Sequence, residues 1–161
     1  MNIRLAADLT YDSIVDGNGL RIVVWSQGCI HKCKGCHNPT TWDLNKGKLC
    51  DIDDLADRII SYKLKSGVTF SGGDPMQQSE EFTYLAKLLK QHNINIWCFT
   101  GYEFENLNDK QKELLKYIDV LVDGKFINEL KSYDLVFKGS KNQRIIDVKK
   151  SLQQNEIVLY M

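Results

Sequence analysis

Residues 22–39 read IVVWSQGCIHKCKGCHNP. The first four residues form an apolar, mostly β-branched run that ends at a glycine-containing turn, as a buried strand does. The loop that follows carries Cys29, Cys33 and Cys36 in the spacing C-x3-C-x2-C. The stretch therefore predicts a strand whose carboxyl end opens directly into a cysteine site.

Beyond this strand the chain alternates predicted helices with predicted strands. The helical segments carry apolar residues at a spacing close to 3.6 and acidic residues in their first turns. The alternation predicts βαβ units and an α/β fold with a mostly parallel sheet covered by helices. Predicted strands lie at 22–25, 68–70, 94–99 and 120–122, predicted helices at 51–65, 79–89 and 109–117, and further strand candidates at 135–137, 144–148 and 157–160.

Length and composition limit the architecture. The chain has 161 residues, of which 43% are apolar and 10% aromatic, so it can bury a core and is not disordered. This length suits one domain over residues 1–161. It is too short for a complete eight-unit β/α barrel of about 250 residues. We therefore expect an open, partial barrel.

The charge pattern excludes several classes of partner. Lys plus Arg number 21 and Asp plus Glu number 21, and a net charge of zero argues against electrostatic binding of nucleic acid. There is no 18-residue apolar run, and the amino-terminal residues lack the apolar region of a signal peptide. These features predict a cytoplasmic protein without a membrane segment. In such a reducing compartment, the five cysteines need an explanation other than disulfides.

The ligand count in the cysteine loop favours an iron–sulfur cluster. Three cysteines on a four-iron cluster leave one iron without a protein ligand, open to a small molecule. A thiol redox pair would need only Cys33 and Cys36 and would leave Cys29 unexplained. A structural zinc ion would need a fourth ligand, and both of these alternatives stay open. The candidates for that fourth ligand are His31, His37, Cys50 and Cys98, although the last two are expected to be structural.

Three other strand ends carry glycine-rich or polar signatures, at 71–75 (SGGDP), 100–102 (TGY) and 123–125 (DGK). Each alone is ordinary turn chemistry. Because parallel strands end at one edge of a sheet, all three should meet the cysteine loop there. The convergence predicts a site for a small zwitterionic ligand beside a metal cluster. Segment 16–21 is interpreted as a hairpin turn, and segment 138–144 as an exposed polar loop.

These motifs together resemble a known family. The C-x3-C-x2-C spacing resembles the cluster motif of radical S-adenosylmethionine enzymes. Its combination with V-D-G-x-G-L-R at 15–21 and S-G-G-D-P at 71–75 is similar to the glycyl-radical activating enzymes. Residues 138–147, KGSKNQRIID, resemble the branch that acts on anaerobic ribonucleoside-triphosphate reductase. The resemblance covers residues 16–147.

The resemblance implies a mechanism. The amine and carboxylate of S-adenosylmethionine would chelate the open iron of a 4Fe–4S cluster. One electron would cleave the sulfonium to methionine and a 5′-deoxyadenosyl radical, which would take a hydrogen atom from a glycine of the large reductase subunit. A low-potential one-electron donor, flavodoxin or similar, would reduce the cluster. The fold implied is the partial barrel of the radical S-adenosylmethionine type.

The resemblance also assigns residues, and it names no catalytic side chain beyond the cluster ligands. Gly35 departs from many superfamily members, which have an aromatic residue there, so adenine packing falls to other groups. Alternatives are activation of another glycyl-radical enzyme, a small radical enzyme, or a zinc-stabilised interaction module that uses His37. The implied set is Cys29, Cys33 and Cys36 on the cluster, Gly72, Gly73 and Asp74 on the methionine moiety, Gly35, Cys36 and His37 along the adenine, and Asp123 and Lys125 near the ribose or carboxylate.

Overall fold

Eight strands form one sheet in the computed structural model, which describes residues 1–161. Four helices accompany them: α1 (Ile52–Ser61), α2 (Ser79–Lys90), α3 (Asp109–Leu115) and α4 (Val148–Gln154). The strands are β1 (Asn2–Leu5), β2 (Thr10–Ser13), β3 (Arg21–Ser26), β4 (Lys48–Asp51), β5 (Gly67–Gly72), β6 (Ile96–Phe99), β7 (Val120–Asp123) and β8 (Arg144–Asp147).

The centre of the sheet is parallel. Strands β3, β5, β6 and β7 are neighbours in that order, and Ser26 at the end of β3 pairs with Gly72 at the end of β5. The flanking strands β1, β2, β4 and β8 are antiparallel, and β4 and β8 are the two edges. The fold is thus mixed α/β with a largely parallel centre, and the four central strands end at the same edge of the sheet.

Helices cover one face of this sheet. Apolar side chains of α1, α2 and α3 pack with alternate residues of the central strands in a cluster of 25 buried residues. Local signals start the helices, because the Asp51 carboxylate accepts the Asp54 amide at α1 and Asn108 forms a capping box with Gln111 at α3. The remaining strand residues point to the opposite face, where Trp97, packed with valines and Ile145, forms a smaller core.

The sheet face opposite the helices carries the smaller core and, nearer its carboxyl edge, residues that line a cavity. Strand alternation places Ser71, Phe99 and Val122 on this face, nearer the carboxyl edge than Trp97. Near the amino edge the space is filled, because Phe137 and Tyr160 pack edge-on against Trp97 at 5.3 Å each. The cavity lined by Ser71, Phe99 and Val122 lies at the carboxyl edge of this face.

Arg21 is the largest polar group on that face, and it is 2% exposed. It contacts the Trp97 ring at 5.5 Å and has no carboxylate partner. Burial lowers the pKa of Arg21 to about 10, so the guanidinium stays protonated at neutral pH. Its donors reach Thr69 Oγ1 at 2.8 Å, the Asn18 carbonyl at 2.8 Å, the Val68 carbonyl at 2.9 Å and Asn95 Oδ1 at 2.8 Å. Arg21 thus ties the hairpin loop 14–20 to β5.

We expect Arg21→Met to lower the free energy of unfolding by about 3 kcal/mol, since it leaves buried carbonyls without donors. Urea unfolding followed by circular dichroism measures this change. Arg58→Met, on the exposed side of α1, is the control and should change stability little. Equal effects of the two substitutions would contradict the structural role of Arg21.

Most sequence-predicted elements are confirmed. Helices α1, α2 and α3, the four central strands and the hairpin turn all form, although α1 ends at Ser61 rather than at 65. The 135–137 strand is wrong, because Phe137 has a φ of +62°, which a strand cannot adopt. At the carboxyl end, 144–147 is a strand, but Leu159 makes only an isolated bridge to Ile146. No helix has the length and apolar character that crossing a membrane requires.

Candidate active site

A cavity of about 210 Å³ lies at the carboxyl edge of the central strands. The cysteine loop after β3 forms one wall, and the ends of β5, β6 and β7 form the others. All the strand ends whose signatures were noted in the sequence therefore meet there. The cavity is lined by Cys29, Cys33 and Cys36, by Gly72, Gly73 and Asp74 after β5, by Phe99, Thr100 and Gly101 after β6, and by Val122, Gly124 and Phe126 around the end of β7.

The cysteine loop is held at its base by backbone hydrogen bonds. The Gly28 amide donates to the Thr41 carbonyl at 2.7 Å, and the Cys29 amide donates to the Trp42 carbonyl at 3.1 Å. Within the loop, the Cys36 amide donates to the Cys33 carbonyl at 3.1 Å. All three thiols are free and half-buried, and all three face the same cavity.

The spacing of the thiols discriminates between a cluster and a single ion. A tetrahedral zinc ion with Zn–S bonds of about 2.3 Å needs sulfurs about 3.8 Å apart. The only three Cys, His, Asp or Glu ligand atoms within 4.8 Å of one another belong to Cys29, His31 and Asp74. The three cysteine sulfurs do not all lie within 4.8 Å of one another. The three cysteines are therefore not placed as three ligands of one zinc ion, and thiolates are the usual donors to an iron–sulfur cluster.

The other two cysteines lie outside the cavity. Cys98 is fully buried in β6, and burial raises the pKa of its thiol well above the ordinary value, as expected for an inert core residue. Cys50 lies on the edge strand β4. By contrast, burial raises the pKa of the Cys29 thiol to about 11 within the cavity, so a bound cation is needed to hold it as thiolate.

His31 connects the cysteine loop to the turn after β5. Its side chain is only 5% exposed, and Nε2 lies 2.7 Å from Asp74 Oδ2. The ring packs edge-on against Tyr102, with centroids 4.6 Å apart. A Cβ on Gly101 would lie 2.5 Å from the ring, so only glycine leaves room for this histidine. His31 therefore anchors the loop, and its Nε2 is already engaged by a carboxylate.

Both oxygens of the Asp74 carboxylate accept hydrogen bonds from within the protein. Its Oδ1 accepts the Met76 amide at 2.9 Å, and its Oδ2 accepts the Gly101 amide at 2.9 Å. The Thr100 hydroxyl lies 2.9 Å from both oxygens. With His31, these bonds join the cysteine loop, the turn after β5 and the end of β6 at one buried carboxylate. This arrangement favours an organising role for Asp74 over direct contact with a ligand.

The two glycines of the same turn lie against protein backbone. Gly72 has a φ of +102°, and a Cβ there would lie 2.5 Å from the Ser26 amide nitrogen. A Cβ on Gly73 would lie 2.5 Å from the Gly28 carbonyl oxygen. The glycines thus allow the turn to pack directly on β3 and the cysteine loop. Their other sides line the cavity and leave main-chain groups as its surface there.

Residues 124–128 form the wall opposite the turn. Gly35 has a φ of +78°, and a Cβ there would lie 2.5 Å from Asn128 Oδ1, which explains why this position has no side chain. The Phe126 ring lines the cavity and packs edge-on against the exposed His37 at 5.4 Å. An aromatic surface is therefore supplied by this wall instead of by the residue before the third cysteine.

Segment 138–144 supports that wall. Gln143 donates to the Gly124 carbonyl at 2.9 Å, and Asn142 donates to the Lys125 carbonyl at 2.8 Å. A Cβ on Gly139 would lie 3.1 Å from the Phe126 ring, so the glycine gives the ring its space. Segment 138–144, predicted from the sequence to be an exposed polar loop, thus positions one side of the cavity.

Comparison with known proteins gives a consistent family. The profile described as "4Fe-4S single cluster domain" matches residues 15–146. A relative from Enterobacteria phage T4, named anaerobic ribonucleoside-triphosphate reductase-activating protein, is 40% identical over 85% of this chain and 93% of its own. The chain belongs to this activating-protein family. Proteins of the same name from Haemophilus influenzae (39% identical, 82% of this chain and 90% of the relative) and Escherichia coli K12 (37%, 81% and 90%) agree.

A solved structure shares the fold of this activating-protein family member. The crystal structure of QueE from Escherichia coli matches with a TM-score of 0.55 and covers 76% of this chain and 70% of its own. Identity is 17%, so the likeness concerns the fold alone. The family match to a single 4Fe–4S cluster and the three thiols at the cavity agree on an iron–sulfur protein.

Three predicted site residues of this family member do not line the cavity: Gly35, which lies against Asn128, and Asp123 and Lys125. Asp123 is 1% exposed; its carboxylate accepts Arg144 Nε at 3.0 Å and Nη2 at 2.6 Å, and the Phe104 amide at 2.8 Å. These bonds favour a structural role over the predicted ribose contact. Hydrogen bonds that Arg144 donates to the Asp123 and Glu105 carboxylates raise the pKa of Arg144, so its guanidinium stays charged. Lys125 is exposed and lines a neighbouring groove.

Proposed function

We propose that this protein activates anaerobic ribonucleoside-triphosphate reductase by forming a glycyl radical on it. The observation that carries the proposal is the set of three free thiols, Cys29, Cys33 and Cys36, facing one cavity at the ends of four parallel strands. These residues would hold a 4Fe–4S cluster, which would supply the electron for reductive cleavage of S-adenosylmethionine and so the radical that would take hydrogen from a reductase glycine. Residues 1–161 act as one activase domain.

The chain's own residues would hold the cofactors as follows. The thiolates of Cys29, Cys33 and Cys36 would hold three of the irons, and neither Cys50 nor Cys98 lines the cavity to supply a fourth protein ligand. The main chain at Gly72 and Gly73 faces the cavity and would receive the polar methionine moiety. His31 and Asp74 hold the loop and the turn in fixed relation, so that the two ends of this site are pre-organised.

The adenine would lie against the opposite wall. Cys36 and His37 line the cavity beside this wall, and Gly35 lies against its Asn128. The Phe126 ring would supply the aromatic contact that Gly35 lacks. Asp123 would act by fixing the end of β7 through Arg144 rather than by touching the ribose. Lys125 would lie outside this pocket.

Architecture and partners complete the proposal. The open edges of the sheet fit a partial barrel of the radical S-adenosylmethionine type, whose gap admits another protein. A low-potential one-electron donor such as flavodoxin would reduce the cluster. The zero net charge gives no basis for nucleic-acid binding, and no membrane contact is part of the proposal.

Anaerobic reconstitution with iron and sulfide tests the proposed chemistry. A brown protein that releases 5′-deoxyadenosine from S-adenosylmethionine when dithionite is added supports it. Chromatography measures the nucleoside, and a sample without dithionite is the control. A colourless protein that holds one tightly bound zinc ion would instead support the interaction-module alternative and exclude the radical mechanism.

A further inference from the structure

We propose that Cys29, His31 and Asp74 bind a single ferrous ion before a cluster is assembled, and that this ion is the first iron to enter the cavity. The ligand atoms are the Cys29 sulfur, His31 Nε2 and a carboxylate oxygen of Asp74. The loading step rests on the proposed function, since it assumes an iron–sulfur cluster on the cysteine loop, whereas binding of the single ion does not. This ion site shares only Cys29 with the three-cysteine set.

The three side chains lie close enough to share one ion. Their ligand atoms are all within 4.8 Å of one another, and His31 Nε2 lies 2.7 Å from Asp74 Oδ2. A tetrahedral ion with bonds of about 2.0–2.3 Å holds such atoms about 3.3–3.6 Å apart. Side-chain shifts of about 1 Å therefore place all three on one ion. The three cysteine sulfurs do not all lie within this limit, so the cavity without a cluster favours the mixed ligand set.

The charges of these ligands match a divalent ion. The Cys29 thiolate and the Asp74 carboxylate carry one negative charge each, and the His31 imidazole is neutral when it binds through Nε2. With Fe²⁺ the group has no net charge, which matters because Asp74 is only 1% exposed. On binding, the Cys29 thiol releases its proton to water and the imidazole carries its proton on Nδ1. The iron stays ferrous, and no electron is transferred.

Hydrogen bonds and packing orient two of the ligands. Asp74 accepts the backbone amides of Met76 and Gly101, each at 2.9 Å. The His31 ring packs edge-on against Tyr102, with centroids 4.6 Å apart. Metal-binding carboxylates and histidines commonly have such outer partners, which fix the direction of the ligand atom. In the His31–Asp74 hydrogen bond, a proton occupies the place between the two ligand atoms that the ion takes.

The ion site opens onto the same cavity as the other cysteines. Cys29, His31 and Asp74 line this cavity, and so do Cys33 and Cys36. Coordination positions that the three side chains leave free are therefore accessible to sulfide and to further iron. Because Cys29 belongs to both ligand sets, the first iron exchanges only His31 and Asp74 for sulfide as a cluster grows. The histidine and the carboxylate then form their hydrogen bond and anchor the loop.

The other two histidines are not placed for this role. His37 packs against the Phe126 ring at 5.4 Å and belongs to no group of three metal-ligating side chains within 4.8 Å. His92 is exposed in the turn after α2. Substitution of His92 therefore provides a matched control for substitution of His31.

The first test measures binding of Co²⁺, a coloured probe for Fe²⁺, to metal-free Cys33→Ala/Cys36→Ala protein under anaerobic conditions. This double variant keeps the proposed ion site and lacks two cluster ligands. We expect a single equivalent of Co²⁺ to bind with a thiolate-to-cobalt absorption band in the near ultraviolet. Adding His31→Asn should raise the dissociation constant at least about 10-fold, and adding His92→Asn should leave it unchanged. Absence of the band, or equal affinity with His31→Asn, would overturn the ion site.

A second measurement leaves His31 and Asp74 intact and so does not depend on their contribution to folding. X-ray absorption spectroscopy of the cobalt-loaded double variant should show one sulfur neighbour together with nitrogen or oxygen neighbours, one of them from an imidazole. A spectrum without sulfur or without imidazole would overturn the ion site.

The loading step is tested in the wild-type protein with isotopically labelled iron. A single equivalent of labelled Fe²⁺ is bound to the metal-free protein, and unlabelled iron and sulfide are then added. Mössbauer spectroscopy, which detects only the labelled isotope, should show the label move from a ferrous site with mixed ligands into a cluster. Label released to solution while a cluster forms would overturn the loading step. A bound ferrous ion with no cluster after sulfide addition would instead overturn the proposed function, and the loading step with it.

Discussion

Replacement of Cys29, Cys33 or Cys36 by alanine is expected to abolish iron and sulfide binding and the brown colour. Each thiol faces the cavity, and the chain has no spare thiol within it that could substitute. A cluster bound by only two protein thiolates would be exposed to exchange and loss. Iron and sulfide analysis after anaerobic reconstitution, with the visible spectrum, measures the result.

The matched controls are Cys98→Ala and Cys50→Ala, which should keep iron at the wild-type level. Cys98 is fully buried in β6, so its loss should cost about 1 kcal/mol of stability through a small cavity. Circular dichroism verifies folding of each variant. A folded Cys98→Ala protein without iron would contradict the three-ligand site.

Asp74→Asn is expected to weaken both folding and cluster retention. The carboxylate accepts hydrogen bonds from the Met76 and Gly101 amides, the Thr100 hydroxyl and His31. An asparagine amide turns one acceptor into a donor that faces other donors in a buried place. We expect the free energy of unfolding to fall by about 2–4 kcal/mol. Because the His31 anchor is lost, retained iron should fall to a minor fraction of the wild-type level.

Urea unfolding of the apo protein and iron analysis of the reconstituted protein measure the two effects separately. Asp134 is exposed and its carboxylate accepts no hydrogen bond, so Asp134→Asn is the control. It should change neither the free energy of unfolding nor the iron content. His31→Asn should lower iron retention with a smaller loss of stability, since the other donors to Asp74 remain. Wild-type stability and iron content in Asp74→Asn would contradict the organising role of this carboxylate.

The parts of the fold that periodicity controls could be predicted from the sequence. The central strands are continuous apolar runs because they are buried on both faces, and α1 and α2 show a clear apolar stripe. The convergence of four strand ends follows from parallel pairing, so the position of the cysteine loop beside the other turns was predictable too. By contrast, β1, β2 and β4 are four-residue flanking strands with no such signal, and the sequence did not predict them.

The roles of single polar residues were less predictable. Asp123 follows a strand as a ligand-binding residue would, but Arg144, 21 positions later, takes its carboxylate. Arg21 and segment 138–144 act through long-range hydrogen bonds that leave no local pattern in the chain. His31 was considered as a metal ligand, and its pairing with Asp74 became visible only once the fold brought them within 2.7 Å.

We propose that this protein places a radical on a glycine of the reductase. Electron paramagnetic resonance spectroscopy of the anaerobic mixture of reconstituted protein, reductase, S-adenosylmethionine and dithionite tests it most directly. We expect a doublet from the reductase that requires all four components, because a glycyl radical couples to its remaining α-hydrogen. Absence of the doublet from a mixture in which the protein carries its cluster and cleaves S-adenosylmethionine would contradict the account.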